Sequence, residues 1–372
     1  MRRTVSILGT PIDRLTRQET LARICCFVHE GGFHQVATAN TDFLVNALQD
    51  PELSTVLLSA DLVTPDGMPI VWAARALRSG LPERVTGADI VPEIAEMAAR
   101  CGFSVFLLGA RESVARRAAE RLKLDYPGIQ IAGCLSPPSA ALDDLDSPAL
   151  LQQIQAAKPD ILLVAFGNPK QEKWIYRHRK ELQSVSVCMG VGGTFDFLAG
   201  EYQRAPMWMQ RHGLEWLHRL AQDPTRLWKR YNRDFWLFGF GIAREIMFMR
   251  RLRSSGNGGS RLQKADDHDG VRIAVHGDLC GEWLGEFYAS IDAGIARGES
   301  IQIDLSGVTS VDGEGLGALI ELRRRTQERN IPCTFGGMSV ALASLLTVSL
   351  KQETLASETP VGRSLHRYSS TG

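Results

Sequence analysis

Short apolar runs rich in β-branched residues alternate with longer stretches of helical period between Val5 and Met189. This alternation restricts the fold most, because repeated strand–helix–strand units build a parallel sheet whose near-continuous apolar strands are buried on both faces. We therefore predict an α/β fold with helices on both sides of a mostly parallel sheet. The strand candidates are residues 5–8, 34–38, 62–65, 104–108, 129–133, 161–166 and 184–189. The helix candidates are residues 17–30, 68–77, 89–100, 112–124 and 170–182.

The segment 202–253 has a different composition from the region before it. It holds eleven Lys or Arg residues against four Asp or Glu residues, a net charge of +7, and four of the seven tryptophans. The whole chain carries 42 basic and 42 acidic residues, so the zero net charge excludes a surface that is basic throughout. Basic side chains interleaved with Trp, Phe and Met suit a helical surface that meets a bilayer interface. The alternative is that the aromatic residues pack on the preceding domain and the arginines form a solvated face.

The composition changes again after residue 253. Residues 254–270 are rich in Gly, Ser and Asp and lack an apolar period, which predicts a flexible linker. A new strand and helix pattern over 271–350 predicts a separate small α/β domain, and the polar residues 351–372 predict a frayed tail. The sequence contains no run of about 18 apolar residues, so it predicts no membrane-spanning helix. None of the seven cysteines has zinc-site spacing, so we expect reduced, buried thiols and no metal.

Polar and glycine-rich turns follow several of the predicted strands. Thr38 and Asn40 follow one strand candidate, and Asp66 follows the next. At the carboxyl edge of a parallel sheet, an aspartate can take a proton from a substrate hydroxyl, while Thr and Asn can hydrogen-bond a sugar. The glycine-rich turns at 167–171 and 190–194 would let backbone N–H groups approach phosphates. Each motif is also compatible with an ordinary strand-to-helix turn.

Eight motifs occur in a fixed order over roughly residues 4–245, and together they resemble the WecG/TagA/CpsF glycosyltransferases. They are TANTDFL (38–44), TPDGMP (64–69), RVTGAD (84–89), FLLGA (106–110), FGNPKQEKW (166–174), GVGGTFDFLAG (190–200), RAP (204–206) and GLEWLHRLAQDPTR (213–226). The resemblance implies an inverting transferase for surface polysaccharide synthesis. Such an enzyme moves a sugar, here expected to be of the N-acetylmannosamine type, from a UDP-sugar to an undecaprenyl-diphosphate-linked sugar.

The resemblance also implies roles for individual residues. Asp66 matches the family's proposed general base. The residues that match its substrate-binding positions are Thr38, Asn40, Arg84, Gln171 and Asp196. Arg219 and Arg226 match arginines thought to engage the lipid-linked diphosphate, and Lys229 stands at the third such place, without the bidentate fork of arginine. An inverting transfer needs a base and stabilisation of the departing UDP, so we expect no cofactor and no dependence on a metal.

Location and partners follow from the same resemblance. No secretion signal is visible at the N-terminus, so we expect a cytoplasmic protein held peripherally on the inner face of the cell membrane through 202–253. Relatives in the family often self-associate, which makes a homo-oligomer an expectation here. One alternative is a regulatory protein that binds a nucleotide-sugar without turning it over. Nucleic acid is not expected as a partner, because no recognised reading element accompanies the basic segment.

The C-terminal unit, about residues 271–350, resembles the STAS domains of anti-sigma factor antagonists, chiefly in IDLSGVTSVDGEGLGALIELRRR (303–325). Many such domains carry Asp-Ser-Ser/Thr-Gly at the start of this helix and are phosphorylated on the second hydroxyl. Here the four residues are Asp312, Gly313, Glu314 and Gly315. We favour a non-switching module that binds a protein partner; the alternative is a constitutive mimic of the phosphorylated state. The predicted architecture is therefore a Rossmann-like core (1–201), a basic helical appendage (202–253), a linker (254–270), a small α/β STAS-like domain (271–350) and a tail (351–372).

Overall fold

A six-stranded sheet organises the N-terminal domain of the computed structural model, which describes residues 2–138, 141–145, 147–253, 261–267, 270–281 and 283–350. Its strands are β3 (His34–Ala39), β4 (Leu62–Pro65), β5 (Ser104–Gly109), β6 (Gln130–Leu135), β7 (Ile161–Ala165) and β8 (Val187–Gly190). They lie in the order β4-β3-β8-β7-β5-β6, and every neighbouring pair is parallel. The predicted parallel sheet is confirmed.

Helices cover both faces of this sheet, because alternate strand residues enter different cores. Leu107 and Leu163 belong to the core on one face of the sheet, whereas Phe106 and Leu162 belong to the core on the other. A capping box at Thr16 begins the first helix. The helices are α1 (Arg17–Glu30), α2 (Thr41–Gln49), α3 (Pro51–Ser59), α4 (Met68–Ala76), α5 (Gly87–Cys101), α6 (Glu112–Asp125), α7 (Pro148–Ala157), α8 (Lys170–Arg177) and α9 (Thr194–Leu198), with a 3-10 turn at Asp143–Leu145.

The first strand candidate does not join the parallel sheet. Strand β1 (Thr4–Ile7) pairs in antiparallel fashion with β2 (Thr10–Asp13), and the two form a separate hairpin. The two turn residues, Leu8 and Gly9, both have positive φ, at 50° and 78°. A two-residue turn of that conformation matches the twist of paired strands, so the local geometry closes a hairpin where the sequence pattern alone suggested one more strand of the alternation.

The basic appendage is helical, as predicted. It contains α10 (Met207–Arg211), α11 (Glu215–Gln222) and the 30-residue α12 (Pro224–Arg253). One side of α12 packs on the rest of the chain through Leu227, Ile242 and Met249, while Trp228 and Phe235 are exposed. The interpretation of a packed segment therefore holds for one side of the helix, and contact of the other side with a bilayer stays a prediction. Within the described part of the chain, no helix combines the length and hydropathy that a membrane span requires.

The C-terminal domain has its own four-stranded sheet, in the order β12-β11-β10-β9. The linker predicted for 254–270 is partly wrong, because β9 (Arg261–Asp267) pairs in antiparallel fashion with β10 (Gly270–Leu279). An edge strand of this kind is held by backbone hydrogen bonds on one side and needs few apolar side chains, so its polar sequence looked like a linker. Residues 254–260 and 351–372 lie outside the described residues. The remaining elements are α13 (Leu284–Arg297), β11 (Ile301–Val311), α14 (Gly313–Glu328), β12 (Cys333–Gly336) and α15 (Val340–Leu350).

The two units are not separate in the way the sequence suggested. A single apolar core contains Ile7 of the hairpin, Ile242 of α12 and Leu319 of α14.

The prediction for the cysteines is wrong in part: all seven are free, but only Cys188 is buried, and the exposed ones are Cys26, Cys101 and Cys134.

Candidate active site

A cleft of about 860 Å³ opens at the carboxyl edge of the six-stranded sheet. Its walls are the turns that follow β3, β4, β5, β7 and β8, and α11 and α12 contribute residues from the appendage. The volume lies within the roughly 300–1,000 Å³ of small-molecule sites. The cleft is where the strand order predicts a ligand, because parallel sheets bind at the carboxyl ends of their strands.

Helix N-termini give this cleft a positive character. Gly87 and Ala88 at the start of α5, Glu112 at the start of α6 and Lys170 at the start of α8 all line it. The first N–H groups of a helix have no partner within the helix, and the aligned peptide dipoles add a partial positive charge there. The cleft is thus suited to an anionic group such as a diphosphate.

Asp66 follows β4 and lines the cleft. Asp66 is half-buried. Its carboxyl group is partly removed from water, and this desolvation raises the pKa of Asp66 to about 6. Arg219 opposes the rise and Glu215 adds to it. A carboxyl group with this pKa is mainly deprotonated at neutral pH but more basic than an ordinary aspartate, which are the properties required of a general base.

Three arginines and two carboxylates beside Asp66 connect the appendage to the core. Arg84 lies 2.9 Å from Glu215, and Arg219 lies 3.3 Å from the same carboxylate. Arg204 lies 2.7 Å from Asp89. Burial alone would raise the pKa of Glu215, but Arg219, followed by Arg84 and Arg204, lowers it. The network carries one excess positive charge and joins residues from the RVTGAD, RAP and GLEWLHRL motifs.

Arg84 does not lie where a substrate-binding residue is expected. Its side chain is 15% exposed, contacts Glu215 and Asp89, and is not among the residues that line the cleft. In this structure the guanidinium of Arg84 is committed to two carboxylates and holds α11 against the loop that precedes α5. The substrate contact of Arg84 stays a prediction.

Gln171 lines the cleft, but its side-chain amide is hydrogen-bonded to other groups of the protein. Its Oε1 accepts hydrogen bonds from the N–H groups of Gly167 at 3.1 Å and Gly192 at 3.0 Å, and its Nε2 donates to Glu172 at 2.7 Å. These bonds fasten the turn after β7 to the turn after β8. These two N–H groups, in turns expected to bring backbone N–H groups to a phosphate, are already bonded within the protein.

Glu172 was not singled out from the sequence. The side chain is fully buried, and Oε2 has no hydrogen-bond partner among the described residues. Burial raises the pKa of Glu172 to about 8, so the group is mainly protonated at neutral pH. Its position beside Gln171 on the buried side of α8, within FGNPKQEKW, was the available signal.

The remaining substrate-binding candidates also line the cleft. Thr38 is buried at the end of β3, and Asp196 lies in the first turn of α9. Asn40 caps α2, since its Oδ1 accepts a hydrogen bond from the N–H of Phe43 at 3.2 Å. The amide NH₂ is therefore the part of Asn40 that can serve a ligand. The structure thus brings Asp66 together with Thr38, Asn40, Gln171 and Asp196 around one cavity.

The basic residues predicted to meet a lipid diphosphate separate in the structure. Arg219 lines the cleft, with its guanidinium 4.9 Å from the ring of Phe197 and a buried Nε that has no hydrogen-bond partner among the described residues. Lys229 is exposed and does not line the cleft, whereas Arg230 does. The side chain of Arg226 lies outside the described residues. Arg230 was not singled out from the sequence.

No metal centre is visible in the parts of the chain that the structure describes, where no three His, Cys, Asp or Glu side chains gather as ligands. Independence of a metal stays a prediction about the reaction.

Comparison with known proteins agrees with the geometry. Residues 5–252 match the glycosyl transferase WecG/TagA/CpsF family, and residues 262–350 match the family described as Mlab, STAS domain. A protein of Bacillus spizizenii named N-acetylglucosaminyldiphosphoundecaprenol N-acetyl-beta-D-mannosaminyltransferase is 35% identical over 202 residues, covering 54% of this chain and 75% of that protein. A Staphylococcus aureus protein of the same name is 31% identical over 231 residues, covering 62% of this chain and 87% of that protein. The chain belongs to the WecG/TagA/CpsF family of glycosyltransferases and carries a STAS domain behind the transferase.

Proposed function

We propose that this glycosyltransferase moves an N-acetylmannosamine-type sugar from a UDP-sugar to undecaprenyl-diphosphate-linked N-acetylglucosamine, with inversion and with Asp66 as the general base. The names of the relatives supply the transferred sugar and the acceptor. In this chain, the observation that carries the proposal is the carboxyl group of Asp66, which lines the cleft and has a pKa raised to about 6.

The proposed reaction is a single displacement. The carboxylate of Asp66 takes the proton of the acceptor hydroxyl while that oxygen forms a bond to C1 of the donor sugar. The bond between C1 and the β-phosphate oxygen breaks, and its electron pair leaves with UDP. The N-termini of α5, α6 and α8 face the cleft and would stabilise the negative charge that develops on the diphosphate.

Two groups of residues in the cleft support separate binding places for the two substrates. Thr38, Asn40 and Asp196 lie among the strand-end turns and suit hydroxyl groups and the base of a nucleotide-sugar. Arg219 and Arg230 come from the appendage and suit the diphosphate of the lipid-linked acceptor. On this view the appendage forms one wall of the cleft and presents its other side to the bilayer.

The outer side of the appendage supports peripheral attachment to the cytoplasmic face of the membrane. Large apolar side chains are exposed along it, which a protein surrounded only by water rarely groups together. They are Met207, Trp208, Trp216, Leu217, Trp228, Phe235, Trp236, Leu237, Phe240 and Met247. Arginines lie on the same segment and would meet anionic headgroups, so the surface combines the two attractions that hold a protein at an interface.

The test is turnover by the purified full chain. A panel of UDP-sugars is offered with polyprenyl-diphosphate-linked N-acetylglucosamine, and both UDP release and product mass are measured. Asp66→Asn is expected to lower kcat by at least about 100-fold, since proton transfer by a positioned base typically contributes 10²–10⁴-fold. Asp144→Asn makes the same change on an exposed turn and should leave kcat unchanged.

The same assay separates the alternatives. Undiminished turnover by Asp66→Asn would remove this residue from the base role. Binding of UDP-sugars by the wild-type chain without any transfer would contradict the proposed reaction and favour a regulatory protein. Turnover that persists in EDTA supports metal independence, and turnover lost in EDTA and restored by a divalent cation refutes it.

A further inference from the structure

Helix α14 of the STAS domain is buried on almost every side. Twelve of its sixteen residues are buried, whereas a helix on a domain surface keeps a polar side in solvent. Strand β11 of its own domain contacts it, and so do β1 and β2 of the N-terminal hairpin. The STAS domain therefore meets the transferase through the helix that begins with Gly313 and Glu314.

Glycines allow the close approach of this helix to the hairpin. Gly313 and Gly317 are four residues apart and lie on one face of α14. A Cβ atom at Gly317 would lie 2.4 Å from the carbonyl oxygen of Thr4, and one at Gly313 would lie 2.8 Å from Oγ of Ser79. Both distances are shorter than Cβ atoms tolerate, so larger residues at these positions would push the two units apart.

The transferase also caps the first turn of α14. The N–H of Gly313 donates to the carbonyl oxygen of Leu77 at 3.4 Å, and the N–H of Glu314 donates to Oγ of Ser79 at 3.0 Å. Leu77 is the C-terminal cap of α4, so the negative end of one helix dipole faces the positive end of the other. The carboxylate of Glu314 lies 3.3 Å from Arg14 of the transferase. The position aligned with the phosphorylated one of other STAS domains is thus used inside the chain.

Buried charged side chains lie on both sides of this junction. Glu321, one turn beyond Gly317, is 1% exposed and receives two hydrogen bonds from Arg324, at 2.9 and 2.8 Å. Next to it Arg2 pairs with Asp13 at 2.7 Å. Burial raises the pKa of Asp13, Arg2 opposes the rise, and Glu321 adds to it. Each ion pair lies within one unit, and the attraction between Arg2 and Glu321 crosses the junction, which favours the docked arrangement.

The far half of α12 rests on the same junction. Ile242, Met249 and Leu252 share a core with Leu345 and Leu346 of α15. The near half of the helix reaches the cleft, about 20 Å away at 1.5 Å per residue. A contact with the STAS domain therefore bears on the helix that forms part of the site wall.

The hairpin turn also contacts α12. A Cβ atom at Gly241 would lie 2.7 Å from Cδ2 of Leu8, and Oε2 of Glu245 accepts a hydrogen bond from the N–H of Leu8 at 3.2 Å. Helix α12 is therefore held between the hairpin that supports α14 and the last helix of the STAS domain.

We propose that the STAS domain is a brace whose partner is the transferase of the same chain: α14 docks on the hairpin, and the docked domain holds the far half of α12 in place. This inference does not depend on the proposed reaction. It revises the expected role of the module, since a protein that binds the start of α14 must first displace Leu77 and Ser79.

Cleavage of the full chain tests the docking. A recognition site for a specific protease is placed within residues 254–260, and the folded protein is cut. The two fragments of the otherwise wild-type chain are expected to stay together in size-exclusion chromatography at the mass of the intact protein. Separation of the fragments at micromolar concentration would overturn the proposal.

Variants then locate the contact. Gly317→Val should let the cut fragments separate, while Gly285→Val makes the same change at an open position of α13 and should not. Ser79→Leu alters the transferase side alone and should also separate them, and Ser113→Leu on exposed α6 is its control. If circular dichroism shows that Gly317→Val unfolds the module, Ser79→Leu decides the outcome, because it leaves the STAS sequence intact.

Amide hydrogen exchange tests the brace itself. In the uncut Ser79→Leu chain, exchange in residues 238–252 is expected to accelerate by about tenfold or more, which corresponds to about 1.4 kcal/mol less protection. Exchange in α5 and β5 should stay as in the wild-type chain. Unchanged exchange in 238–252 despite loss of docking would show that α12 holds its place alone and would overturn the bracing role.

Discussion

Asp66, which lines the cleft, and Glu172, which is buried beside Gln171, show how differently burial can shift the pKa of a carboxyl group. Asp66 keeps the charges of Arg219 and Arg84 nearby, and its pKa rises only to about 6. Among the described residues, hydrogen bonds but no cation offset the burial of Glu172, and its pKa rises to about 8. At neutral pH one group is therefore a base and the other is a neutral acid that supports Gln171.

The pKa of Asp66 predicts the pH dependence of catalysis. A base must be deprotonated, so kcat/KM is expected to fall as the pH drops through about 6. Arg219 opposes the rise of this pKa, so Arg219→Gln should move the falling limb to higher pH. The pH profile of kcat/KM measures both effects. A limb near pH 4 would mean that Asp66 is not desolvated as described, and a limb unmoved in Arg219→Gln would contradict the electrostatic coupling.

The protonated state of Glu172 predicts a pH-dependent stability. Its pKa is about 8 in the folded chain and near its ordinary value of 4.5 in the unfolded chain, so the unfolded state loses the proton first as the pH rises. The free energy of unfolding therefore falls between about pH 4.5 and 8 because of this group. The side chain in Glu172→Gln is neutral at every pH. The free energy of unfolding of this variant, relative to that of the wild type, should therefore rise by at least about 1 kcal/mol from pH 5 to pH 8.

Urea unfolding of both proteins at the two pH values measures this difference. Glu181→Gln makes the same change at an exposed position and serves as the control. A difference between Glu172→Gln and wild type that does not vary with pH would show that Glu172 is ionised in the folded protein.

Single residues were predictable where the strand ends fixed their place. Asp66, Thr38, Asn40 and Asp196 meet in the cleft because parallel strands end at one edge of the sheet. Arg84 was not predictable in the same way, because its role depends on Glu215, which lies 131 positions away in the chain. A motif shows that a residue matters and does not show whether it contacts a ligand or another side chain.

Helix α12 is the element whose two sides differ most. At 3.6 residues per turn, the exposed side chains of Trp228, Phe235, Trp236, Phe240 and Met247 fall within an arc of about 140°, and exposed Leu237 lies outside that arc. The buried side of the helix lies on the opposite half. Arg233, Arg244 and Arg251 lie between the two, along the border of the apolar surface.

This arrangement predicts membrane binding that depends on the exposed aromatic residues. Burying one Phe side chain is worth about 1.5–3 kcal/mol, so Trp236→Ser with Phe240→Ser should lower the partition coefficient onto anionic vesicles by at least about tenfold. Co-sedimentation with phosphatidylglycerol-containing vesicles measures it. Leu124→Ser is the matched control, because Leu124 and Phe240 are both 71% exposed. Equal binding of the double variant and the wild type would place the attachment surface elsewhere.

Elements of regular period were predicted well, and short irregular ones were not. Helix α1 has the predicted bounds, since its capping box fixes the start and Gly31 ends it. The hairpin β1–β2 and the edge strand β9 escaped prediction, because each depends on pairing with a neighbour rather than on its own hydrophobic pattern. The separation of Lys229 from the cleft had a similar cause, since the rotation of α12 is set by tertiary packing.

At the scale of the whole molecule, three segments far apart in sequence make one unit. The hairpin, α12 and the STAS domain share a core, so the boundary that the composition places near residue 253 is not a boundary in space. The zero net charge of the chain has a similar origin, since the +7 of 202–253 offsets an excess of acidic residues elsewhere. Neither average composition nor the order of domains along the chain reveals this arrangement.

The approach of Gly317 to Thr4 also determines how the junction can change during evolution. The contact partner of Gly317 is a backbone carbonyl oxygen, and every residue type at position 4 presents the same oxygen. Substitutions in the hairpin therefore cannot make room for a side chain at 317. At this contact no substitution at position 4 relieves the clash, so α14 should be confined to glycine at 317.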